Sequence, residues 1–138
     1  MFVPKKLLND LTYKIIGVAI EVHKYLGPGL PESVYQSCMY EEFRLMEIPT
    51  KSQMVVPIDY KGLMIDALLK CDFFVDELIV IELKSVNIIL PVHEAQLITY
   101  MKLLSAPKGI LINFNVTNIF KEVQKTFVNE YFRDLPES

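Results

Sequence analysis

The 138-residue chain is long enough to bury one real core, and with 51% apolar and 22% charged residues it is too hydrophobic for a disordered chain. A net charge of −3 and a pI near 5.4 argue against a strongly basic protein that coats nucleic acid nonspecifically, but leave room for a local basic groove. Cys38 and Cys71 lie far apart among apolar residues with no CxxC pair, which indicates neither a zinc knuckle nor a redox motif; they read as buried free thiols in a reducing compartment.

The opening MFVPKKLLND has no apolar h-region with a small-residue cleavage site, and no apolar run is long enough for a bilayer, so a cytoplasmic protein is expected. From Leu7 to Tyr25 the residues Leu8, Leu11, Ile15, Val18 and Val22 recur at three and four, which predicts a helix. Gly27–Pro28–Gly29 stops it. A second helix is expected to start at Pro31, whose fixed φ suits the first helical position, with Glu32 at the positive end of the dipole. It should run to about Glu47 with Val34, Cys38 and Phe43 inward.

The period then changes. Met54–Tyr60 reads as a strand in which Pro57 suggests a sheet edge. Lys61–Gly62 is a turn signal, and Leu63–Leu69 a second strand. Cys71–Val75 and Leu78–Ser85 follow, joined at Asp76–Glu77. The run Leu78–Ile79–Val80–Ile81 is apolar on both faces, as in a strand covered on both sides. Pro91–Leu104 is read as a helix and Gly109–Phe114 as another buried strand. Ile119–Phe132 fits a helix through Ile119, Val123, Phe127 and Tyr131, or a strand alternating at Lys121, Val123, Lys125 and Phe127; the strand with a short helical end is preferred. The order α-α-β-β-β-β-α-β-β makes a mixed sheet flanked by helices, in one domain over residues 1–138.

Within CDFFVDELIVIELKS, at Cys71–Ser85, three charges interrupt apolar strands. Glu82 and Lys84 are two apart and share a face. A two-residue loop at Asp76–Glu77 would pair Val75 with Leu78 and set Asp72 against Ile81. An odd loop or a bulge is needed to bring Asp72 beside Glu82, and a bulge is expected. Two buried carboxylates that close repel, and a divalent cation with a taste for hard oxygen ligands offsets them better than Lys84 does. An ordinary ion pair at the sheet rim is the plainer reading of these residues taken alone.

Asp72 followed by Glu82–Leu83–Lys84 resembles the signature of the PD-(D/E)XK nuclease superfamily. Gly29–Leu30–Pro31–Glu32–Ser33–Val34–Tyr35 resembles the motif of its GxxExxY group. HKYLGPGLPESVY at His23–Tyr35, HEAQLITYMKL at His93–Leu103 and GILINFN at Gly109–Asn115 carry the same likeness across nearly the whole chain. Cys71 stands where the superfamily often has proline. The resemblance implies a restriction endonuclease-like α/β core and a Mg²⁺- or Mn²⁺-dependent nuclease acting on DNA, with RNA left open. By motif it implies Asp72 and Glu82 as metal ligands, the Leu83 carbonyl as a further ligand, and Lys84 as the group that orients or deprotonates water. Glu32 would support the metal directly or through water, and Gln96 and Tyr100 would stand beside the site as in the RecB-like branch.

The chemistry is consistent with that assignment, since phosphodiester hydrolysis needs an activated water and neutralised charge on phosphate. A lysine in a partly desolvated cleft can act as a base. Gln96 and Tyr100 are i and i+4 on one helical face. A different reading keeps the fold as a catalytically silent module that binds nucleic acid or protein. The acidic pI and the lack of a second DNA-reading segment favour a weak binder that acts as a homodimer or is delivered by a partner. Tyr35 reads as packing with its hydroxyl tied to a partner, and His23 as a surface residue near a helix end; for His93, early in its helix and three before Gln96, the sequence does not fix whether it contacts the site or phosphate.

Overall fold

The computed structural model describes residues 3–119 and 124–137. The first helix, α1, covers Lys5–Leu26 and buries Leu8, Ile15, Val18 and Val22 of the predicted stripe together with Thr12, Ala19 and His23, while Leu11, expected in the same stripe, is half-buried against the core. The two polar members each have a partner: Thr12 Oγ1 donates to Leu8 O at 2.7 Å, and His23 Nε2 lies 2.7 Å from Val116 O. A carbonyl only accepts, so Nε2 carries the proton. His23 is therefore inside, not at the surface, because the Val116 carbonyl satisfies its ring.

Helix α2 covers Glu32–Leu45. Pro31, with ψ at 151°, is the cap and not the first helical residue, and the helix stops short of Glu47. Its buried row is Tyr35, Met39 and Phe43, an i, i+4, i+8 line; Val34 and Cys38, expected inward, are themselves i and i+4 and sit half-buried together on one flank of it.

Strands β1 (Thr50–Val55), β2 (Ile58–Tyr60), β3 (Leu63–Ile65), β4 (Lys70–Val75) and β5 (Ile79–Lys84) precede helix α3 (Pro91–Leu103). Strands β6 (Lys108–Asn113) and β7 (Gln124–Val128) and a short helix α4 (Glu130–Arg133) follow. The expected Met54–Tyr60 strand is divided. Val56 leaves β1 with its N–H on Leu69 O at 2.8 Å, and Pro57 has no N–H to continue a ladder. The expected Leu63–Leu69 strand keeps only its first three residues. Between β2 and β3 the predicted turn forms at Lys61–Gly62, both with positive φ, and Gly62 N–H donates to Asp59 Oδ1 at 2.7 Å. For the tail, the strand with a helical end is the structure adopted over Gln124–Arg133; residues 120–123 lie outside the described ones.

The five-stranded sheet runs β1-β4-β5-β6-β7, with β5 central and the β5–β6 pair parallel. Its remaining pairs are antiparallel, so the sheet is mixed. Helices cover both faces. Ile79, Ile81, Leu83, Ile110 and Ile112 pack on α1 and α2, whereas Val80 and Leu111 pack on α3 with Leu97, Tyr100 and Met101. This double cover explains why β5 and β6 carry near-continuous apolar runs. Gly109 lets α3 come close, since a Cβ there would lie 2.6 Å from Met101 Sδ and 3.0 Å from Leu97 Cδ1. Among the described residues no helix is long and apolar enough to cross a membrane.

Candidate active site

The hairpin between β4 and β5 decides which charges meet. Asp76 and Glu77 both take positive φ, and Leu78 N–H closes the turn on Val75 O at 2.9 Å. The ladder nevertheless pairs Val75 with Ile79 and Phe73 with Ile81. Leu78 is thus an additional loop residue, and the loop counts three. An odd loop carries Asp72 to the position opposite Glu82.

Regular pairing stops at Phe73 and Ile81, and side chains take over. Asp72 N–H donates to Glu82 Oε2 at 2.8 Å, and Leu83 N–H donates to Asp72 Oδ2 at 2.7 Å. Each carboxylate therefore bonds to backbone of the opposite strand. Glu82 is 4% exposed, and burial, followed by the neighbouring Asp72 charge, pushes its carboxyl up to about 8. The Lys84 charge acts in the opposite direction. The thiol of Cys71 is pushed up to about 12, by burial first and then by Glu82, so it is inert at neutral pH.

Gln53 is a site residue that the sequence did not mark. Its Nε2 donates to Asp72 Oδ1 at 3.1 Å, so both Asp72 oxygens hold a donor. Its φ is +50°, in the left-handed region, in mid-strand. Glutamine has no local preference for that region, so no turn signal announced it.

Lys84 shares its strand face with Glu82 and is half-buried, but among the described residues it has no ion pair within 4.0 Å. The chain just beyond it is fastened. Asn113 accepts from Val86 N–H and donates to Val86 O, and Ser85 Oγ donates to Leu30 O at 2.6 Å. That last bond ties the loop before α2 to the end of β5. Tyr35 braces the same loop: its hydroxyl donates to Gly27 O at 2.6 Å and accepts from Leu30 N–H at 3.1 Å, and its ring stacks on Phe114 at 4.3 Å. Packing with a tied hydroxyl is the role expected for it. Glu32, the first residue of α2, is exposed next to this loop.

From the other side α3 brings Tyr100, which is 3% exposed. Burial first, then the charges of Glu82, Cys71 and Asp72, hold its hydroxyl above the ordinary tyrosine range. Gln96, one turn earlier, is exposed. His93 Nδ1 accepts the N–H of Leu90 at 3.0 Å, so this ring closes the start of α3.

Asp72, Glu82 and Tyr100 are thus gathered, with Lys84 at the edge. Among the described residues no group of three or more His, Cys, Asp or Glu side chains is placed to hold a metal, so Glu32 does not join the two carboxylates. The donor set still fits a hard divalent ion. A carboxyl raised by burial and then by its neighbour is relieved by a cation, and Mg²⁺ takes few carboxylates with water and phosphate in its remaining positions. Lys84 O accepts from Phe114 N–H on the β6 side, so by strand alternation Leu83 directs its N–H and C=O toward β4 and Asp72.

A family model of the PD-(D/E)XK nuclease superfamily matches residues 9–126, which takes in both carboxylates, the lysine, α2, α3 and all but the first turn of α1. The chain belongs to the PD-(D/E)XK nuclease superfamily. No curated protein and no solved structure matches it. A mixed five-stranded sheet between helices agrees with a PD-(D/E)XK nuclease fold. Membership suggests a hydrolase of phosphodiester bonds, and PD-(D/E)XK nucleases generally use divalent metals such as Mg²⁺.

Proposed function

We propose that the protein is a Mg²⁺- or Mn²⁺-dependent nuclease that hydrolyses phosphodiester bonds in DNA as a single nuclease-like domain. The observation that carries this reading is the pairing of Asp72 with Glu82. Each carboxylate is bonded to the other's strand and the two crowd together, with Lys84 two residues on along the same face. A scaffold gains nothing from two repelling carboxylates in a sheet interior.

When bound, the divalent ion lowers the pKa of its water and neutralises charge on the phosphate. Asp72, Glu82 and the Leu83 carbonyl would hold it. Both side chains keep lone pairs for the ion, because each carboxylate oxygen can accept more than one bond. Lys84 stands at the rim with no ion pair among the described residues, and there it would orient the attacking water or help deprotonate it. Glu32, the first residue of α2, just after the loop tied down by Ser85 and Tyr35, would act through water. Tyr100 and Gln96 line the α3 side, where the Tyr100 hydroxyl stays protonated and can donate to a phosphate oxygen. An acidic chain binds nucleic acid weakly on its own, which favours work as a homodimer or with a delivering partner.

The test is incubation of purified protein with supercoiled, linear duplex and single-stranded DNA, and with RNA, in Mg²⁺, Mn²⁺ or chelator. Metal-dependent cleavage of a DNA form is the expected result. Binding of DNA without cleavage under every condition would favour the silent module.

A further inference from the structure

We infer that Gln53 is the positioning residue of the Asp72–Glu82 site, its backbone turning β1 over so that its side-chain amide fixes Asp72. The inference rests on the metal-site reading above.

Three observations support it. Gln53 Nε2 donates to Asp72 Oδ1 at 3.1 Å. Its φ of +50° lies where a non-glycine residue is strained, and such strain persists only when something nearby offsets it. The third is a change of face. Residues two apart on a regular strand share a face. Ser52 faces α2, where its Oγ accepts from Gln36 Nε2 at 2.6 Å, yet Met54 packs in the α3 layer with Cys71. The partner strand turns over at the same place, with Phe73 in the α1–α2 layer and Cys71 in the α3 layer. The ladder keeps its register through the switch, with Ser52 opposite Phe73 and Met54 opposite Cys71, so no residue is inserted. The whole reversal is concentrated at Gln53 and Asp72.

If the fold needed only the reversal, glycine would serve better, since it takes positive φ without strain. What glutamine adds is an amide of the right length to hold one Asp72 oxygen. Leu83 N–H holds the other, so the carboxylate is fixed in rotation at the point where the strand pairing has ended. Groups that orient a metal ligand in this way commonly change metal affinity by about tenfold or more when removed.

Gln53→Gly separates the two roles, because it keeps the backbone turn and removes the amide. Mn²⁺ is titrated calorimetrically into wild type, Asp72→Asn, Gln53→Gly and Gln53→Asn, and each metal-free protein is melted. Gln53→Gly is expected to bind Mn²⁺ about tenfold more weakly while its melting temperature stays level or rises. Gln53→Asn also tolerates positive φ but falls one methylene short of Asp72, and should weaken binding in the same direction. Wild-type affinity in both variants would overturn the inference, and so would a loss of affinity that comes with a lower melting temperature. A wild type whose Mn²⁺ affinity Asp72→Asn leaves unchanged would overturn the metal-site reading itself, and the inference with it.

Discussion

Asp72 and Glu82 face each other across a hairpin but bond to each other's backbone, with Asp72 N–H on Glu82 Oε2 at 2.8 Å and Leu83 N–H on Asp72 Oδ2 at 2.7 Å. The fold thus holds two carboxylates at the end of a ladder where regular strand pairing has stopped. Without a cation that arrangement costs stability, and the cost depends on pH.

The sign follows from Glu82. Its folded-state value is raised to about 8 from an ordinary 4.5, so between these values the native state binds more protons than the unfolded chain. Its contribution to stability is fully present below about 4.5 and is lost as pH rises through 8. Metal-free wild type should therefore lose stability relative to Glu82→Gln between pH 5 and pH 8.5, by on the order of a few kcal/mol. Urea melts of both proteins across that range, with chelator present, read the difference. Parallel curves would show that Glu82 ionises freely in the fold.

Lys84→Ala should abolish cleavage and leave Mn²⁺ affinity within a few-fold of wild type, since lysine donates no lone pair to the ion. Its melting temperature should barely move, because Lys84 has no close ion pair among the described residues. Turnover assays beside calorimetric titration check both halves. Retained cleavage would move the proton-transfer role elsewhere.

Tyr35→Phe removes the hydroxyl that holds Gly27 O and Leu30 N–H and leaves those groups to find other partners. A loss of about 1–2 kcal/mol is expected. Cleavage should also fall, through looser placement of Glu32, while Mn²⁺ affinity changes little. Thermal melts and turnover rates test this together; an unchanged melting temperature would show that the loop does not depend on the tyrosine.

Gly109→Ala should destabilise by roughly 1–3 kcal/mol, the usual cost of forcing atoms into a packed interface. The added methyl meets Met101 Sδ and Leu97 Cδ1. Pairing it with Met101→Ala should give a combined loss smaller than the sum of the two single losses, because the space opened by one accepts the other. Strict additivity in a double-mutant cycle would contradict this account of how α3, and with it Tyr100, is seated.

Much of this was legible in the sequence where one physical signal dominates. Leu8, Ile15, Val18 and Val22 mark α1 because one apolar stripe meets one core. The doubly covered strands β5 and β6 announce themselves through unbroken apolar runs. The start of β1 at Thr50 escapes a reading by pattern because Thr50, Lys51, Ser52 and Gln53 are all polar, so this edge strand shows no apolar alternation there. The place of His23 depends on a carbonyl far along the chain, and a residue's own neighbours cannot reveal such a partner. At the site, Asp72, Glu82 and Lys84 were readable as a motif, and parity showed that an odd loop or a bulge was required. The loop proved to count three, and the irregularity lies between β1 and β4. Gln53 stayed hidden because its importance arises from a backbone conformation that its residue type does not favour.

The central claim is that Asp72 and Glu82 form a site for a divalent cation, and titration of Mn²⁺ into wild type and Asp72→Asn, with metal-free melts of both, tests it most directly. Asp72→Asn should bind Mn²⁺ far more weakly. In chelator it should melt higher than wild type, because relief of the repulsion against Glu82 returns roughly one to a few kcal/mol. An unchanged Mn²⁺ affinity together with an unchanged metal-free melting temperature would contradict the account and leave the pair as an ordinary charged end of a strand.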